Sequence, residues 1–365
     1  MKTNILLLGA VALTIASCSK NEVVDVAPGL EQKGAIAFEN FVGKSTKAVS
    51  ENDLNALKEA GKGFYVHGKY KPTNDSGNEQ TAFDGGQQAH VTWSGNSWGY
   101  NPLTYWLEGQ TYKFAAFAPA LSVNNSFDYV SNSLTIADFV ADGQTDLIVS
   151  ATTPEGIKSD NYIVNNSPIQ FTFRHALSKV KFTFKDGWRD RVNMKIDNIY
   201  ITGVETKGTL KTPNNLASTD MLLASWTGGN FFSNENTYKD VTGNTLQTYG
   251  ATYDYEHCFI PQSLADKRIK LHFTVTITND NNEGPDIGGE EGSKNSKKIE
   301  VELPAATVNQ WIPAYAYNYV IEISGDTFGL KPISFTIDEE NGIAKWNDGT
   351  MGDDGNINVE QNVQE

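Results

Sequence analysis

With 365 residues, of which 39% are apolar and 11% aromatic, the chain can bury substantial cores, and its length suits two domains of ordinary size. A formal net charge of −15 repels phosphate backbones and anionic headgroups, which argues against nucleic acid as a partner. Only two cysteines occur. If the first carries lipid, Cys258 is left without an intramolecular partner, and stability must come from packing.

The chain opens with Lys2 and an apolar run over 5–16, too short to span a bilayer and typical of a signal peptide. The run closes on Ile15-Ala16-Ser17-Cys18, which resembles a lipobox. That pattern predicts removal of residues 1–17, a diacylglycerol and palmitate-type anchor on Cys18, and export as a lipoprotein. Ser19 stands where Asp would favour inner-membrane retention, so the expected destination is the outer membrane, facing the cell surface. Residues 18–33 are polar and aperiodic, as a tether would be.

From there on, apolar residues recur with period two over 35–42, 63–70, 112–118, 169–184, 194–201, 268–277, 297–303, 315–323 and 333–337. These read as half-buried strands separated by Gly, Asn, Asp and Pro, which predicts an all-β protein. One short helix is expected over 50–60, capped by Ser50 and Asp53. A polar run over 158–166 divides the chain into an N-terminal sandwich, 34–165, and a C-terminal sandwich, 166–346. Residues 347–365 form a polar tail.

Several arrangements could carry chemistry, and each has a plainer reading. Gly63 to Lys69 has phosphate-loop spacing, yet Tyr70 stands where Mg²⁺ coordination needs Ser or Thr, and 71–74 is a turn, so a strand is expected. The five histidines, His67, His90, His175, His257 and His272, include no pair at metal-ligand spacing. The acidic stretch 279–296, with Asp280, Asn282, Glu283 and Asp286, departs from EF-hand spacing and reads as a solvated hairpin tip. No HExxH motif is present. No metal, cofactor or catalytic group is therefore assigned, although paired carboxylates of a glycoside hydrolase are defined only in space. Trp93, Trp98 and Trp106, with Tyr100 and Tyr105, form either a sugar-stacking platform or the inward face of a hairpin pair.

The order of motifs resembles the fimbrillin-like family, pilin-related lipoproteins of Gram-negative anaerobes. Ile36, Phe38 and the triplet Thr46-Lys47-Ala48 come first, then Phe64 to Val66, then Tyr105-Trp106 with Gly109, Tyr112, Phe114, Ala116 and Pro119. Phe171 to Val180, Phe259-Ile260-Pro261-Gln262, and Trp311 with Tyr315 to Tyr319 follow. The resemblance implies two tandem transthyretin-like Greek-key β-sandwiches and a non-catalytic role as a pilus subunit or pilus-associated adhesin. It also implies proteolysis after Lys47, loss of the strand over 35–42, and entry of a strand from another pilus subunit. The family's better-known processing enzyme is specific for Arg, whereas this position is Lys47, and the apolar residues of the tail, Ile357, Val359 and Val363, make a sparse donor strand. The competing expectation is a surface glycan-binding lipoprotein contacting host or bacterial glycans through Trp93, Trp98 and Trp106.

Overall fold

The computed structural model describes residues 32–40, most of 56–337, and 343–345. Strands dominate, as the period-two patterning requires, and most pairings are antiparallel. Among the described residues no helix is long and apolar enough to cross a membrane.

The N-terminal half is built on one large sheet. Its strands run in the order Arg174–His175, Ile148–Ala151, Gln110–Ala118, Phe64–Pro72, Ala89–Trp93 and Trp98–Gly99. The central strand Gln110–Ala118 is buried on both faces, not one. Tyr112, Phe114, Ala116 and Ala118 enter one core, while Ala115 and Phe117 enter another on the opposite face. The expectation of a half-buried strand over 112–118 is corrected here, because this sheet is a middle layer with protein above and below.

One outer layer is a four-stranded sheet ordered Ser225–Gly228, Lys207–Lys211, Ser133–Val140 and Asn124–Asp128. Two of its strands lie beyond residue 166, and one of these, Lys207–Lys211, pairs with Ser133–Val140 from before it, while Ser225–Gly228 pairs with Lys207–Lys211. The other layer holds Gln32–Ala35, paired antiparallel with Tyr105–Leu107, and Phe38–Asn40, paired in parallel with Ile169–Phe171.

The C-terminal sandwich packs two sheets about a third core containing Phe182, Phe184, Ile196, Phe273, Tyr319 and Ile321. One sheet runs Thr252–Phe259, Ser178–Asp186, Tyr315–Ile323, with Phe335–Ile337 and Ile343–Lys345 both on the far edge of Tyr315–Ile323. The facing sheet runs Asn244–Leu246, Asn193–Thr202, Lys270–Thr278 and Ser296–Glu302. Lys270–Thr278 alternates strictly between buried and partly exposed positions. In the acidic excursion, Ile287 turns inward and joins this core, so that hairpin is not solvated throughout.

The stretch 169–184 divides into Ile169–Phe171, Arg174–His175 and the start of Ser178–Asp186. The breaks mark where the chain passes from one half to the other. Ala176 N donates to Leu147 O at 2.7 Å, Ala314 N to Leu177 O at 2.9 Å, and Trp226 Nε1 to Ala176 O at 2.9 Å. Ser178 Oγ donates to Ile312 O at 2.7 Å, and the fully buried His175 meets Asp146 through Nδ1 and Oδ2 at 2.6 Å. Cys258 N donates to Gly143 O at 2.9 Å, and Tyr238 Oη to Ala141 O at 3.0 Å. Gly143 has φ +82°, and a Cβ there would fall 2.6 Å from His257 Nδ1, so a bare backbone is needed for this approach.

Candidate strand-exchange trough

The first strand is the element on which the expected assembly chemistry rests, and its geometry follows from its alternation. Ile36 and Phe38 are separated by one residue and point to the same side, where they are only 1% and 2% exposed. The intervening Ala37 faces solvent. Backbone bonds hold the strand on both flanks in succession: Ile36 N donates to Thr104 O at 2.8 Å, and Ile169 N donates to Ala37 O at 2.8 Å. The strand expected over 35–42 is thus two short strands, Gln32–Ala35 and Phe38–Asn40, and the segment passes from a neighbour on one flank to a second neighbour on the other.

Below it, Phe38 stacks on Phe171 with centroids 5.7 Å apart and planes 15° apart, and meets Phe114 edge-on at 5.4 Å. Tyr100 lies 5.5 Å from the Phe38 ring, and its hydroxyl donates to Ile36 O at 2.9 Å. Burial pushes the Tyr100 pKa up to about 12, so the phenol stays a donor at all ordinary pH. Taking the first strand away would uncover Phe114, Phe171 and Tyr100 and leave backbone groups of Thr104 and Ile169 unpaired. Such a trough offers an incoming strand burial and hydrogen bonds together.

The other expected site residues are distributed as follows. Cys18 and Lys47 lie outside the described residues, as do most of the helix expected over 50–60 and Ile357, Val359 and Val363 of the tail. Trp106 is 2% exposed and packs on Tyr112 at 4.8 Å and Phe114 at 6.2 Å, so it is a wall of the core with no face for a sugar. Trp93 and Trp98 oppose each other across a short hairpin with centroids 5.4 Å apart, both partly exposed, and Lys58 Nζ sits 5.1 Å above the Trp93 ring. The phosphate-loop spacing has a packing explanation. A Cβ on Gly68 would lie 2.7 Å from the Phe114 ring, and Lys69 pairs with Glu79 at 2.7 Å. Tyr100 was grouped with the tryptophans in the sequence, but its role as an anchor of the first strand had no local signal, because its acceptor is 64 positions away.

Fold and trough together define a β-sandwich protein whose N-terminal strand completes a core made by the rest of the chain. The chain belongs to the fimbrillin-like family, whose sequence profile matches residues 46–339. It is 23% identical over 265 residues to the fimbrium subunit Fim1C of Phocaeicola vulgatus, covering 67% of this chain and 68% of that protein. A crystal structure of a fimbrial protein from Bacteroides vulgatus superposes with a TM-score of 0.58 at 15% identity, covering 86% of this chain and 99% of the other. That likeness establishes a shared fold.

Proposed function

We propose that this protein is a subunit of a cell-surface fimbrium, exported as a lipoprotein on Cys18 to the outer membrane and released for assembly by cleavage after Lys47. In this reading the first strand is a temporary plug. Once it leaves, the trough over Phe114 and Phe171 accepts a strand from a neighbouring subunit. The observation that carries the proposal is the burial of Ile36 and Phe38 in a segment paired in succession with two different neighbours, since a segment so placed leaves a defined vacancy when removed. Family membership supports the same role.

Mild trypsin treatment of the intact protein, followed by mass spectrometry and electron microscopy, tests it. Cleavage after Lys47 with fibres or oligomers is the expected result. An intact bond at Lys47, with no fibres under any condition, would leave a permanently lipidated anchor or adhesin instead. A second reading, glycan binding, is favoured by the partly exposed Trp93 and Trp98 pair and excludes the buried Trp106. Calorimetry against a polysaccharide panel, with Trp98→Ala as control, decides it: a flat titration for every glycan removes it.

A further inference from the structure

Four segments meet at one end of the N-terminal half: the turn after Phe64–Pro72, the start of Gln110–Ala118, the turn at Tyr129 and Val130, and residues 154–158. Between them is a recess of about 370 Å³ whose wall carries Lys71, Lys113 and Lys158. Three ammonium groups face two carboxylates there, a local excess of positive charge on a chain whose formal net charge is −15.

Lys113 is the unusual member. It lies within a central strand and is 8% exposed. Its Nζ donates to Tyr129 O at 2.9 Å and sits 4.5 Å from the centroid of the Tyr129 ring. No carboxylate comes within ion-pairing distance of it among the described residues. An ammonium has three N–H donors, and one oxygen satisfies only one of them. Burial lowers the Lys113 pKa; Glu155, Asp128 and Asp75 act to raise it and Lys71 to lower it.

The neighbouring groups leave room for an anion. Lys71 Nζ lies 5.5 Å from the same ring and reaches the exposed Asp75 at 3.2 Å. Lys158 is exposed and has no ion pair among the described residues. The Glu155 carboxylate is held by the Thr153 side chain and its own backbone. Thr111 Oγ1 donates to Thr73 Oγ1 at 3.3 Å on the recess wall, adding hydroxyls to the ammonium groups.

From this geometry we propose that the recess binds an acidic sugar unit of a polysaccharide, with its carboxylate or sulfate held among Lys71, Lys113 and Lys158 and its ring hydroxyls met by Thr73 and Thr111. The volume falls in the range of small-molecule sites. An extended acidic peptide fits less well, because the strand backbones here are already taken: Lys71 pairs with Thr111, and Lys158 pairs with Thr111 from the other side. The site is separate from the first-strand trough and from the Trp93 and Trp98 pair, so it stands or falls independently of strand exchange.

Calorimetry on the full chain at low salt tests the proposal with four probes: an oligogalacturonate, a sulfated oligosaccharide, a neutral oligosaccharide and an oligoglutamate. Binding of either acidic sugar, with none of the neutral one, is expected, and which of the two binds identifies the acid group. Affinity should fall about tenfold for each ammonium lost in Lys71→Gln and Lys158→Gln, and further with added salt. Lys113→Met is the sharper variant, and because it can fail to fold, the two surface substitutions carry the test if its melting transition is lost. Flat titrations with both acidic sugars, binding unaffected by Lys71→Gln and Lys158→Gln, or equal binding of oligoglutamate would each overturn the proposal.

Discussion

Phe38 shows how much one side chain contributes to the closed state of the trough. Its ring is buried against Phe171, Phe114 and Tyr100, so Phe38→Ala should destabilise the uncut protein by about 3–5 kcal/mol in urea denaturation. Tyr100→Phe keeps the ring and deletes the hydroxyl's bonds to Ile36 O and to the backbone of Thr104. That variant should lose about 1 kcal/mol and exchange the amides of 35–38 faster, read by hydrogen exchange. At this scale the sequence was informative about Ile36 and Phe38, whose spacing of two already implies a shared face. It was silent about Tyr100, and it left two readings for Trp106. Burial of Trp106 depends on Tyr112 and Phe114, which come from the strand on the far side of a turn.

Elements differ in how far their own residues reveal their surroundings. Lys270–Thr278 has one wet and one dry face, and its alternation states this directly. Gln110–Ala118 has both of its faces dry, because small residues at Ala115, Ala116 and Ala118 allow layers to close on either side. Enlarging one of them tests the middle-layer arrangement. Ala115→Leu should cost about 1–3 kcal/mol by overpacking the core with Phe117 and Leu210, measured by thermal or urea denaturation. At the other end of the chain, Phe335–Ile337 and Ile343–Lys345 cover the free edge of Tyr315–Ile323. A chain ending after residue 325 exposes the edge of that strand that is covered from Tyr315 to Ile321. It should self-associate in size-exclusion chromatography where the full chain does not.

For the molecule as a whole, titration should narrow the range of stability from both sides. His67, His257 and His272 have pKa values lowered chiefly by burial. For a base depressed on folding, the unfolded chain binds more protons below the unfolded pKa of 6.5, so stability is full above that value and falls as pH drops. On the alkaline side, burial raises Tyr100 and Tyr253 to about 12, and Tyr112, Tyr255, Tyr317 and Tyr319 also shift upward. Their neutral forms are favoured by folding, so this stability is intact below pH 10 and is lost as pH rises through the folded values. Melting temperatures should therefore be highest between about pH 7 and 9 and decline toward pH 5 and pH 11. A Tm that rises on acidification from pH 7 to 5 would contradict the histidine assignment.

The sequence by itself determined the all-β class, because period-two alternation is a property of each short segment, and it identified the family, because its motifs occur in order along the chain. It also singled out the first strand as the element to examine. Tertiary structure alone decided which strands share a sheet, that the strands of 207–228 join those of 124–140, and that the first strand is held on both flanks. Those outcomes depend on backbone pairing between residues far apart in the chain, and the alternation within a strand carries no record of its neighbours. The recess around Lys113 was hidden for the same reason: its three lysines lie on separate segments, and only their convergence places three positive charges in one space.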